Sequence, residues 1–165
     1  MEFNLLMCAV VALVPLVMGF LWYGPILFKN AWMKEVGFTD ESMQGANMAL
    51  IFGLSYVLSF LLAFMLQTLV IHQFGVSSTL MKAGETALTG AELTYFQDFM
   101  AQYGDRFRTF GHGALHGAMI GLFVVLPVMG TNALFERKSF KYVAINAGYW
   151  IVTIAIMGGI LCQFA

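Results

Sequence analysis

Three histidines are the residues of this sequence best suited to chemistry. His112 and His116 stand four apart, so on a helix both imidazoles project from one face. His72 lies some forty positions earlier, at the far end of another apolar stretch. Three imidazoles brought together could ligate zinc, copper or a similar ion, and two of them could contribute to a haem site. A histidine also titrates near neutral pH, which leaves proton sensing or passing open, as well as plain hydrogen bonding. Gly113, Ala114 and Leu115 separate the pair, so the helical H-E-x-x-H pattern of a zinc protease is lacking.

Whether the histidines meet depends on the elements that carry them. The chain has 165 residues, 60% hydrophobic and only 10% charged. Soluble domains average about 25% charged residues, so the expected solvent of this chain is lipid. Net charge is −1 and gives no reason to expect nucleic acid as a partner. A bilayer core needs roughly 20 apolar residues in a helix. Residues 4–23, 46–72, 110–129 and 142–164 qualify, with no charged residue at their centres. Lipid cannot satisfy backbone polar groups, so each is expected to be helical. The expectation is an all-α integral membrane four-helix bundle, with residues 1–165 forming a single membrane domain. Met1-Glu2-Phe3-Asn4 lacks the basic residues of a signal peptide, so the first run reads as a retained helix. With four spans, the end of the second and the start of the third share a side, and the three histidines can converge there.

Trp22-Tyr23-Gly24-Pro25 closes the first span, and Phe28 and Trp32 continue an interfacial aromatic belt. Pro15 should kink the first span and Pro127 should mark the end of the third. Asp40 and Glu41 are read as sitting at the positive start of the second helix. Lys29, Lys34, Arg137, Lys138 and Lys141 fall in the first and third connections, against Lys82, Arg106 and Arg108 opposite. That bias puts the first and third connections in the cytoplasm and both termini outside. The middle loop, 75–108, contains the T-x-x-E spacing Thr89 to Glu92 of a capping box. Leu93, Phe96, Met100, Tyr103 and Phe107 then recur as the apolar stripe of an amphipathic helix, read as a surface helix or as a lid.

Small residues at every fourth position let helix backbones approach closely. Gly45, Ala49 and Gly53 form such a stripe in the second helix, and Gly113, Gly117 and Gly121 in the third. Packing within one bundle and self-association into a homo-oligomer are both open uses. Asn47, Gln67, Asn146 and Tyr149 are the polar residues expected to bond between helices or line a small vestibule. Cys8 and Cys162 fall at helix ends on the same side, so a disulfide depends on whether those helices are neighbours.

Trp22-Tyr23-Gly24-Pro25 with Phe28 and Trp32, a W-Y-G-P-x-x-F-x-x-x-W pattern, resembles the opening signature of a family of small bacterial membrane proteins of unknown function. Gly113-Ala114-Leu115-His116-Gly117 and Asn146-Ala147-Gly148-Tyr149-Trp150 are similar to later segments of that family. The resemblance implies a four-span protein of the bacterial inner membrane and supplies no activity or cofactor. No nucleophile motif or phosphate loop is present, and no charge lies deep in a span, so neither an enzyme nor a conventional ion-coupled transporter is expected. Three functions stay open: binding or permeation of a small molecule or ion, a non-catalytic accessory subunit of a membrane complex, and metal or haem binding through the histidines. The expected partners are the lipid bilayer, further copies of the chain, and another membrane protein.

Overall fold

The structure, a computed structural model, describes residues 2–165, and no β-strand occurs among them. Helices α1 (Leu5–Val11) and α2 (Val14–Trp22) form a first rod, and α4 (Met48–Val70) a second. The third runs from α7 (Phe110–Ile120) through a π-helical turn, Gly121–Val125, into α8 (Leu126–Phe135). The fourth is α9 (Phe140–Phe164). All four are long and apolar enough to cross a membrane. Shorter helices lie in the connections: α3 (Lys29–Val36), α5 (Gln73–Leu80) and α6 (Gly90–Tyr103).

Most of α9 is buried, and the other rods pack around it. The core joins Cys8 and Val11 of α1, Ala63, Leu66 and Val70 of α4, and Ile154, Met157 and Leu161 of α9. The outward faces are apolar too: Leu6, Phe20, Leu58, Phe123 and Phe135 are all exposed. The closest contact is between α7 and α9, and it rests on glycine. A Cβ at Gly113 would meet the backbone of Gly158, one at Gly117 the backbone of Ile154, and one at Gly121 the Cα of Ile151. Removing three side chains thus lets two backbones touch, gaining dispersion along the whole seam.

Several elements differ from the sequence expectation. The second helix starts at Met48, capped by the Asn47 side chain, which accepts from the Leu50 N–H. Asn47 therefore serves its own helix and bonds to no neighbour. Asp40 stands well before that start and pairs with Lys29 at 2.9 Å. Gly45 lies outside the helix with φ of 86°, and among the described residues nothing lies within 4 Å of a Cβ at Gly45 or Gly53, so neither glycine of the Gly45–Ala49–Gly53 stripe packs on another helix there. The third rod continues past Pro127. The wider π turn just before it accommodates a residue with no N–H to donate, and the helix runs on to Phe135. The first rod breaks between Val11 and Val14, directly before Pro15.

In the middle loop α6 forms, but its capping box does not. The Thr89 side chain caps nothing, and Glu92 pairs with Lys82 at 2.8 Å. Phe107 lies beyond the helix end, so the apolar stripe stops at Tyr103. Cys8 and Cys162 are both buried and unpaired.

Candidate metal centre

His72 sits between α4 and α5, where the chain bends sharply. Both neighbours are anchored: Ile71 is 1% exposed and Gln73 3% exposed. The Gln73 amide Nε2 donates to the carbonyls of Tyr103, Gly104 and Arg106 at 3.1, 2.9 and 3.1 Å. That one side chain staples the end of α6 beneath His72. His112 and His116 stand on the first turns of α7, whose N-cap is Thr109; the Thr109 hydroxyl accepts from the His112 N–H at 3.3 Å. Each histidine precedes a glycine pressed on α9, so the imidazoles leave α7 about 100° around from that contact. The glycine seam therefore sets the direction in which they point.

The three imidazoles meet. His112 Nε2 lies 2.8 Å from His72 Nε2, and ring centroids are 4.9 Å (His72–His112), 5.0 Å (His72–His116) and 4.5 Å (His112–His116) apart. One ligating nitrogen from each falls within 4.8 Å of the others. In a tetrahedral zinc site with metal–nitrogen bonds of 2.0–2.1 Å, ligating nitrogens are about 3.3 Å apart. That spacing falls between the 2.8 Å of the closest pair and the 4.8 Å that encloses all three.

Phe107 packs against two of the three imidazoles. Its ring stacks on His112 at 5.0 Å and meets His72 edge-on at 6.0 Å. It holds φ of 65°, a left-handed conformation that costs a bulky residue of order 1–3 kcal/mol. The segment is fixed from below: the Cys162 thiol donates to the Phe107 carbonyl at 3.2 Å, and Arg108 Nε donates to the Cys162 carbonyl at 2.7 Å. Beside the trio a cavity of about 300 Å³ is lined by His72, Gln73, Val76, Phe99, Tyr103, Arg106 and Phe107. Sequence reading missed Gln73, Arg106 and Phe107 as parts of this region. The loop pattern around them carried only a helix signal, and no local spacing announces a staple across thirty residues.

The remaining marked residues gather at the opposite end. Trp22 Nε1 donates to the Ile145 carbonyl at 3.0 Å, and the Tyr23 hydroxyl donates to Asn146 Oδ1 at 2.9 Å. Tyr149 donates to the Pro15 carbonyl at 2.7 Å, and Trp22 lies over Gly148, where a Cβ would come within 3.2 Å of its ring. Phe28 packs tilted against Trp22 at 4.8 Å and Trp32 against Tyr23 at 5.3 Å. A Cβ on Gly24 would strike the Phe20 carbonyl, and Pro25 follows at the turn. The W-Y-G-P and N-A-G-Y-W segments thus form one aromatic clasp between α2 and α9. Gln67 is separate: it exchanges bonds with the Asn4 backbone at 3.0 and 3.4 Å and ties α4 to the chain ahead of α1.

Fold and site together define an all-helical protein with four membrane-capable helices and a three-histidine cluster at one end. The chain belongs to the family described as Protein of unknown function (DUF1761), whose model matches residues 6–162. No curated protein and no solved structure matches the chain.

Proposed function

We propose that this is a four-span integral protein of the bacterial inner membrane that binds one transition-metal cation, of the zinc or copper class, through His72, His112 and His116. The observation that carries the reading is the convergence of three ligating nitrogens from two separate elements within 4.8 Å. Neutral imidazole suits zinc and copper, and no carboxylate joins the group to draw magnesium or calcium. Haem fits less well. Two axial nitrogens stand about 4 Å apart across an iron, twice the usual metal–nitrogen bond, whereas the closest pair here is at 2.8 Å with no gap for a macrocycle.

Lipid as solvent is supported by the apolar outer faces of the first three rods, which expose Phe20, Leu58, Phe123 and Phe135. Lys29, Lys34, Arg137, Lys138 and Lys141 lie at the aromatic-clasp end, so by the positive-inside rule the histidines face outward together with both termini. Passage of an ion through one subunit is disfavoured, because Leu66, Ile154, Met157 and Leu161 fill the centre, each at most 1% exposed. A second reading, an accessory subunit or a homo-oligomer, draws on the face of α4 that carries Ala49 and Gly53, both exposed among the described residues.

The test is metal analysis with an absorption spectrum on protein purified gently in detergent, beside a His112→Ala, His116→Ala double variant. The expected result is one zinc or copper per chain, absent from the folded double variant, with no haem band. Metal-free protein that also fails to retain added Zn²⁺ or Cu²⁺ overturns the reading and leaves the trio as a hydrogen-bonded cluster.

A further inference from the structure

The geometry points to a ligand for that metal: a small apolar carboxylate, held with its head on the open coordination position and its body in the adjoining cavity. This rests on the metal reading above and extends it. Three protein ligands leave a tetrahedral ion one exchangeable position, ordinarily filled by water. The trio and the cavity of about 300 Å³ share a wall, since His72 lines both and Phe107 touches both. The other walls are Gln73, Val76, Phe99 and Tyr103, and nearly all of the surface they open to the cavity is carbon.

Charge decides what the head must be. A divalent ion on three neutral imidazoles keeps its full positive charge. Arg106 adds a second positive charge at the cavity rim, 4.7 Å over the Tyr103 ring. Among the described residues the ion pairs are Lys29–Asp40 and Lys82–Glu92, so no carboxylate of the chain neutralises Arg106. Two positive charges, one of them on the exposed side chain of Arg106, flank an apolar pocket and favour an anion, and the pocket selects one with an apolar body. A carboxylate meets both needs, since it coordinates a metal through one oxygen and accepts from a guanidinium through the other. With a metal held by His72, His112 and His116, the carboxylate oxygen would take the open position in exchange for water, and no covalent bond to carbon would change.

The test uses full-length protein in detergent loaded with Co²⁺, whose visible bands report coordination, titrated with benzoate and separately with acetate. The two share a head and differ in the apolar body. Benzoate is expected to shift the bands saturably and at least tenfold more tightly than acetate. Val76→Phe, which fills the cavity, and Arg106→Gln should each weaken benzoate at least tenfold while Co²⁺ stoichiometry stays at one. Equal affinity for benzoate and acetate, or benzoate binding untouched by both variants, overturns the cavity's role while the metal site stands. Bands unmoved by either anion overturn an open position. Failure to retain Co²⁺ overturns the metal reading and this one with it.

Discussion

At the scale of single residues, Gln73 has the greatest leverage on the site without belonging to the trio. Its amide satisfies the carbonyls of Tyr103, Gly104 and Arg106 where the chain leaves α6, and thereby fixes the approach to Phe107. Gln73→Leu keeps the volume and removes the donor. Losing a donor to half-buried carbonyls costs at most about 1–3 kcal/mol, offset in part because leucine also removes Gln73 Oε1, a buried oxygen with no partner, so thermal unfolding in detergent should move down by less than that. Hydrogen exchange at residues 103–108 should rise, and metal affinity should fall although no ligand has changed. Unaltered exchange there would remove Gln73 from the site's support.

Lys82 and Glu92 make a smaller, pH-readable contribution. Their mutual hydrogen bond raises the lysine above its usual 10.5 and lowers the glutamate below its usual 4.5. The depressed carboxylate contributes fully above 4.5, and that contribution is lost as pH falls through its lower folded value. The raised amine contributes fully below 10.5, and its share is lost as pH rises through the higher folded value. Exchange of the first α6 amides, corrected for intrinsic rate, should be flat between these limits and rise outside them. Both groups are exposed, so the effect should be small and should shrink with added salt.

At the scale of elements, the two glycine stripes make opposite predictions from the same spacing. At Gly117 even a methyl group strikes the Ile154 backbone, and overpacking of that kind costs about 1–3 kcal/mol. Gly117→Ala should lower the melting temperature measured by size-exclusion recovery after heating, and Gly117→Leu should abolish the folded peak. Gly53 meets nothing within 4 Å, so Gly53→Ala should be neutral or gain up to about 1 kcal/mol from helix propensity. Gly53→Leu should then leave the monomer fold intact. If it dissociates a detergent-stable oligomer, the α4 face is the interface between copies or with a partner. If the oligomeric state does not change, that face meets lipid.

Over the whole molecule, the two ends differ in kind. One is closed by aromatic rings and hydrogen bonds from Trp22, Tyr23 and Tyr149, and a direct bond from Ser139 to Glu35 ties the first and third connections there. The other carries the imidazoles, the cavity and the strained Phe107. In the proposed orientation, Ser78→Cys should react with an impermeant thiol reagent on intact cells. Ser42→Cys should react only after permeabilisation. Buried Cys8 and Cys162 give a quiet background for both. The reverse labelling pattern would place the histidines in the cytoplasm.

Four long apolar helices, a helix in the middle loop and the pairing of His112 with His116 on one face are legible in the sequence because each depends on residues a few positions apart. Backbone hydrogen bonding and the 3.6-residue period act at that range, and composition alone reveals how much apolar surface must find an apolar environment. The arrival of His72 beside them follows in outline from the parity of the spans. Its 2.8 Å approach to His112 depends on how far α4 runs before Ile71 and how closely α7 lies on α9. Those are packing quantities, fixed where Gly113 meets Gly158 and Gly117 meets Ile154. Packing also separated two stripes of identical spacing, one pressed on α9 and one open, because a small residue matters only where a second backbone arrives. The cavity and its unpaired Arg106 follow from contacts between α5 and the end of α6, some thirty residues apart in the chain. No short-range pattern encodes such contacts, because they form only once the hydrophobic core has brought the two segments together.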